Sequence, residues 1–283
     1  MIGFKAHAVT LALTGLFVSA CGGSPPAGPM TVTIPFHARV GSQAFACGQT
    51  YTGLGTTGTP YEPRDFRVYL HDVRLLATDG TEVPVSLTND GVWQQDGLVL
   101  LDFENKTGLC LNGTPDMNDH LVGTVPAGHY VGLRFKVGVP FGLNHQDASV
   151  ARSPLNVSTM FWGWQGGYKF IRLDGRTRGL SHNFHLGSTE CQTSGPQQVT
   201  SCQHPNVAEV EIPGVDPEQA PAVVLDVATL FAGSNLDVDQ PDTAPGCMSE
   251  QNDNDCAPIF QRLGLGLGDK AANPAAQAFF RKE

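Results

Sequence analysis

Two indoles two residues apart are the most reactive side chains of this chain: Trp162 and Trp164, in Met160-Phe161-Trp162-Gly163-Trp164-Gln165-Gly166-Gly167-Tyr168-Lys169-Phe170. In an extended strand, residues at i and i+2 leave the same face, so the two rings would stand side by side. Indole is oxidisable and carries an N–H that needs a partner; the pair would serve as core packing, as a flat platform, or as a specific redox centre. Downstream, His182-Asn183-Phe184-His185 precedes Cys191 and adds imidazoles, which bind copper or zinc when neutral. His182 and His185, at i and i+3, would converge on a helix but face opposite ways on a strand, leaving one of them as a ligand. His145 lies in the polar, turn-like Phe141-Gly142-Leu143-Asn144-His145-Gln146-Asp147, and His37 alternates outward from Phe36 in a first strand.

Other chemistries lack their signatures. There is no Gly-x-Ser-x-Gly elbow, phosphate loop, His-Glu-x-x-His motif or dinucleotide fingerprint, and no Cys-x-x-Cys-His for a c-type haem. Asn252-Asp253-Asn254-Asp255 offers hard oxygens, but their spacing matches no calcium loop, and the stretch reads as a solvated acidic loop. With 17 Lys+Arg against 27 Asp+Glu and no basic run, nucleic acid is excluded as a partner.

The elements that must position these residues read as strands. Gly and Pro, 33 and 20 residues, punctuate the chain, and charged residues make up only 16%, a composition of short strands and turns. Thr31 to Val40 and Arg67 to Leu76 alternate as strands, followed by Leu98 to Phe103, His129 to Val137, Lys169 to Leu173, Val207 to Ile212 and Ala222 to Val227. Helix is expected only at Val227 to Phe231 and near Ala275 to Arg281, and Pro140 to Thr189 reads largely as loop. The expected fold is all-β: an antiparallel β-sandwich with long loops, stapled by disulfides.

Residues 1–20 read as an export signal, with Lys5 before the apolar run Ala8 to Val18, which is too short to cross a bilayer. Val18-Ser19-Ala20-Cys21 resembles a bacterial lipobox, so Cys21 is the expected lipidation site, followed by a flexible tether over 21–30. Six further cysteines, an even number in an exported chain, point to disulfides. Cys191 with Cys202 and Cys247 with Cys256 would each close a short loop, leaving Cys47 with Cys110 as a long-range staple. The folded domain is expected over 31–268, with a tail at 269–283.

Phe141 to His145, Ser153-Pro154-Leu155-Asn156, Met160 to Phe170 and His185-Leu186-Gly187-Ser188-Thr189-Glu190-Cys191 together resemble the MbnP family of exported copper-binding proteins, the metallo-mystery pair four-Cys proteins. The resemblance runs from about residue 31 to Leu263-Gly264-Leu265-Gly266. It implies copper binding in the cell envelope and a partner, a di-haem protein of the cytochrome c peroxidase and MauG type, that oxidises a tryptophan to kynurenine. On this resemblance the modified residue is Trp162 or Trp164 and the ligands are His145 and His185, with His37 and His182 in reserve. The chain would be a binder or carrier and not itself an enzyme. Glu190 stands where the family pattern leads one to expect a small residue such as Gly before Cys191. Two rival readings remain at this stage: an envelope interaction or glycan-binding module using the indole platform, and a secreted metal-dependent hydrolase.

The lipobox reading makes a direct prediction. Wild-type protein should partition with membranes and incorporate labelled palmitate, and Cys21→Ala should do neither; equal incorporation in both would remove the anchor.

Overall fold

The computed structural model describes residues 1–3, 28–219 and 221–283; Cys21 and most of the export segment and tether lie outside the described residues. The principal strands are β1 (Met30–Val40), β2 (Thr59–Ala77), β3 (Leu98–Asp102), β4 (His120–Val125) and β5 (Tyr130–Val137). After the short helix α1 (Phe141–Asn144) come β6 (Phe161–Gly163), β7 (Gly167–Tyr168), β8 (Ile171–Thr177) and β9 (Leu180–Leu186). Then follow β10 (Thr189–Gly195), β11 (Gln198–His204), β12 (Ala208–Pro213), β13 (Val223–Asp226), α2 (Val227–Phe231), β14 (Gly246–Cys247), α3 (Cys256–Arg262) and β15 (Phe280–Lys282).

Two sheets face each other. The smaller runs β15-β13-β1-β4 and continues to Ser86–Leu87; the larger runs β12-β5-β2-β8-β9-β14, with β3 also paired to β2. Strict alternation on β1 sends Val32, Ile34 and Phe36 inward and leaves Thr31 and Thr33 exposed. These apolar side chains close the gap between sheets: Phe36 meets Phe135 edge-on at 5.9 Å, Phe135 meets Phe280 at 5.2 Å, and Phe66 contacts Phe45, Phe103 and Phe279. The expected all-β sandwich is present. Two of its pairings, β1 with β13 and β9 with β14, are parallel and not antiparallel, because the chain returns to those edges after long crossovers. All three disulfides take the expected pairing, Cys47–Cys110, Cys191–Cys202 and Cys247–Cys256.

Three readings are corrected. Ala275 to Arg281 is not a helix: after a single turn at Pro274–Ala276 the chain forms β15, antiparallel to β13. Phe279 and Phe280 are buried, so the segment taken as a tail completes the smaller sheet and carries the domain past residue 268. The stretch Pro140 to Thr189 is not mainly loop, since β6 to β9 lie within it.

β2 is buried on both faces. Phe66, Val68 and Leu70 point toward the facing sheet, while Asp65, Arg67 and Tyr69, on the alternate positions, are buried beneath the outer segment that runs from α1 to β7. That covering layer is held by Tyr69, whose hydroxyl donates to the Pro154 carbonyl at 2.8 Å, and by Tyr168, which donates to Leu155 at 2.6 Å.

If β15 belongs to the core, Phe280→Ala should lower stability by about 3–5 kcal/mol, the usual loss for a large aromatic cut from a packed interior. Urea unfolding would measure it, and an unchanged midpoint would return residues 269–283 to the status of a tail.

Candidate metal and redox site

β6 and β7 form a small hairpin in which Phe161 faces Tyr168 and Gly163 faces Gly167. Gly167 has φ +77°, and a Cβ there would overlap the side chain of Asn144, so only glycine lets α1 approach this closely. Asn144 then accepts from the Tyr168 N–H at 2.8 Å, which locks the hairpin to α1. Because β6 ends at Gly163, Trp164 lies in the turn, and the two indoles do not share a strand face as their spacing suggested.

Trp162 is 37% exposed, and its ring lies against Gly187, where a Cβ would collide with it. Its inner side meets His185, with ring centroids 6.2 Å apart. His185 is buried; its Nε2 lies 2.6 Å from Asp174 Oδ1, and its Nδ1 has no hydrogen-bond partner. A carboxylate can only accept, so the proton sits on Nε2 and Nδ1 keeps its lone pair. Burial depresses the His185 pKa against the opposing pull of Asp174, so the ring favours its neutral form. Burial would raise Asp174, but its bonds from His185 and Arg172 prevail and hold its carboxyl low.

The other candidates separate. His145 points Nδ1 at the Trp164 carbonyl, 3.0 Å away, and Nε2 toward the Sγ of Cys202, 3.6 Å away, so it meets a different neighbour from His185. Burial lowers its pKa as well, opposed by the bond to Trp164. His182, as strand alternation demands, faces the opposite side of β9 from His185; it packs edge-on against Phe231 at 5.4 Å in the interior, with neither ring nitrogen bonded. His37 sits on the smaller sheet, with Nδ1 2.7 Å from the Glu283 carboxylate. Neither reserve residue therefore stands beside Trp162. Among the described residues, two groups bring together three potential donors, His145 with Cys191 and Cys202, and Glu104 with Cys47 and Cys110, and in both the sulfurs are joined as a disulfide.

Beneath this site lies a charge cluster that the sequence reading missed. Arg67, 1% exposed, pairs with Asp65 at 2.9 Å, Glu104 at 3.3 Å and Asp102 at 3.5 Å. Arg172 binds Asp174 at 2.7 Å and Asp65 at 3.3 Å. Burial pushes Asp65 and Asp102 each up to about 7 against the attraction of the guanidiniums, and lowers Lys169 to about 8. The available signal was Asp65-x-Arg67 and Arg172-x-Asp174, charges at i and i+2 inside apolar strands, where one face of each strand must bury them.

The open side of Trp162 borders a cavity of about 840 Å³, walled by Gln165 and Gly166, by Ser188 to Gln192, and by Ala244, Met248 and Glu250 to Asn252. Glu190 adopts φ +53°, a region that favours glycine, which accounts for the small residue expected at that position. Asn252 to Asp255 proves only partly solvated: Asp253 is buried and its Oδ1 accepts the Asp255 N–H at 2.9 Å.

With this geometry in view, the comparisons are decisive: the MbnP family model matches residues 29–249. The chain belongs to the MbnP family. The solved structure of MbnP from Methylosinus trichosporium is similar, at 29% sequence identity and a TM-score of 0.79, covering 90% of this chain and 98% of that one. No curated protein matches. The MbnP-family match includes β6 to β11, and therefore Trp162, His185 and the Cys191–Cys202 hairpin.

His182 has a measurable signature. Burial depresses its folded pKa below the usual 6.5, with Asp239 and Asp255 opposing, so near pH 6.5 and below the unfolded chain binds the extra proton first. Its contribution to stability is present above that pH and lost as pH falls. His182→Leu should flatten the acid limb of a urea stability profile below about pH 6.5. An equally steep loss in the variant would mean that this imidazole does not titrate on unfolding.

Proposed function

We propose that this MbnP-family protein is a copper-binding protein of the cell envelope, anchored through Cys21, in which Trp162 is converted to kynurenine by a di-haem partner of the cytochrome c peroxidase and MauG type. The observation that carries the reading is the pairing of a partly exposed indole with a buried imidazole whose Nδ1 lone pair is unused. The donor set fits the metal: imidazole nitrogen and aromatic amine are ligands that suit copper. Oxidative cleavage of the indole C2–C3 bond, with a peroxide or dioxygen oxidant used by the haem partner, followed by hydrolytic loss of C2 as formate, would leave an aromatic amine and a ketone, converting a poor ligand into a nitrogen donor. Trp162 is favoured over Trp164 because its ring reaches both solvent, where a haem protein can dock, and His185.

The chain's own residues prepare the site. Asp174 fixes the His185 tautomer, and Arg172 holds Asp174 in place. His145 steadies the turn after β6 through the Trp164 carbonyl. Copper, when bound, would supply one-electron redox capacity or a cargo for transfer, and on this reading the protein is a binder and not an enzyme.

The large cavity beside Trp162 supports a second reading, a glycan-binding module, since its aromatic wall is accompanied by the amides Gln165, Gln192, Gln251 and Asn252. Protection of Trp fluorescence by oligosaccharides, without copper, would favour it.

Co-expression with the di-haem partner should place the mass change of one Trp-to-kynurenine conversion on the peptide spanning Phe161 to Lys169, assigned by tandem mass spectrometry to Trp162. Trp162→Phe should abolish it with the fold intact. His185→Ala should lower copper affinity at least ~10-fold, and affinity should fall with pH as imidazole protonates. Unmodified tryptophans in the presence of the partner, together with unchanged affinity in His185→Ala, would defeat the proposal.

A further inference from the structure

The β10–β11 hairpin stands outside both sheets as a two-stranded unit, and Cys191 lies directly opposite Cys202 in its register. The backbone ladder of the hairpin therefore keeps the two sulfurs facing each other whether or not they are bonded. Of the three disulfides this is the most accessible, through Cys202, which is half-buried; Cys191, 7% exposed, borders the open cavity, Cys47 is 8% exposed, and Cys110, Cys247 and Cys256 are fully buried. One histidine is aimed at it. His145 donates its Nδ1 proton to the Trp164 carbonyl at 3.0 Å, which leaves the lone pair on Nε2, and that nitrogen lies 3.6 Å from Cys202 Sγ. The Nδ2 of Asn144, 3.2 Å from the same nitrogen, is a donor and agrees with a lone pair there. The two sulfurs and His145 Nε2 all lie within 4.8 Å of one another.

We infer that Cys191, Cys202 and His145 form a redox-gated site for Cu⁺, closed while the disulfide is intact and opened by a dithiol reductant. The reductant supplies two electrons and two protons, the S–S bond breaks to give two thiols, and the reductant leaves as its own disulfide. Cu⁺ then binds both sulfurs as thiolates, releasing their two protons to solvent with no change in the oxidation state of the metal. Thiolate and imidazole are soft donors that suit Cu⁺ and Zn²⁺ alike. The number of donors separates them: structural zinc takes four protein ligands, and the group holds three, which suffices for trigonal Cu⁺. The group of Glu104 with Cys47 and Cys110 offers no such gate, because all three residues are buried. The inference does not depend on copper binding at Trp162 and His185, which uses other residues.

The test uses the full chain. A water-soluble phosphine is titrated to the point at which alkylation mapping finds Cys191 and Cys202 labelled and the other four cysteines protected, under nitrogen and at neutral pH. Cu⁺ is then titrated against a chromophoric chelator. The reduced protein should take up one more equivalent of Cu⁺ than the oxidised protein, with a thiolate-to-Cu⁺ absorption in the near ultraviolet. Cys191→Ser with Cys202→Ser should lose that equivalent while His185→Ala keeps it, and near-ultraviolet circular dichroism checks the fold of the double variant. His145→Ala retains both thiols and the natural disulfide and should weaken the extra site at least ~10-fold. Equal stoichiometry in oxidised and reduced protein, full affinity in His145→Ala, or displacement of Cu⁺ by equimolar Zn²⁺ would overturn the inference.

Discussion

A guanidinium almost without access to water governs the functional face: Arg67, at the centre of the longest strand, must have its charge met inside the protein. Asp65, Asp102 and Glu104 meet it, and each ties in a different part of the chain. Asp102 ends β3, and Glu104 accepts the backbone N–H groups of Lys106 and Thr114, fixing the loop that carries Cys110. The remaining arm of Arg67 donates to Thr159 Oγ1 at 2.8 Å, and the Thr159 carbonyl in turn receives Lys169 and Arg172. A buried charge of this kind contributes little net stability once its desolvation is counted, yet removing one partner from such a pair costs about 3–5 kcal/mol. Its value lies in determining which loop conformations are tolerated.

The electrostatics show how near balance this arrangement stands. Three carboxylates around one guanidinium, with Asp174 close by, exceed what a buried site can hold fully ionised, and burial raises Asp65 and Asp102 to about 7. Asp174 escapes because His185 and Arg172 both donate to it. The same carboxylate that completes the charge cluster thus determines which nitrogen of His185 is left bare beside Trp162. Packing of the outer layer and preparation of a donor atom are consequences of one set of contacts.

Strand alternation made much of the fold legible, because β1, β5 and β12 each bury one face and present the other to solvent. It stops short where both faces are buried: β2 is legible only from Arg67 and β8 only as far as Leu173, and the buried charges Asp65 and Asp174 lie beyond those bounds. Phe279-Phe280 looked helical because local propensity says nothing of β13, the edge to which that segment adds. The cysteine pairings were readable because two short separations left a single remaining pair. The site was legible in its parts and not in its assembly: His182 and His185 diverge as the strand period requires, but the partner of each ring depends on contacts distant in sequence, Phe231 for one and Asp174 with Trp162 for the other.

The separation of Trp162 from Trp164 follows from glycine geometry. Gly163, at φ +157°, ends β6, and Gly167, at φ +77°, begins the return strand pressed against Asn144, so the turn between them must carry Trp164 away from the strand face. Trp162 stays on the strand and can settle over Gly187 because no Cβ intervenes. The carbonyl of the displaced Trp164 is then free to accept from His145, which turns the other imidazole nitrogen toward the Cys191–Cys202 hairpin. One tight turn therefore presents two different nitrogen donors to two different neighbours, an oxidisable ring at His185 and a pair of sulfurs at His145, and a change in the turn would be felt at both.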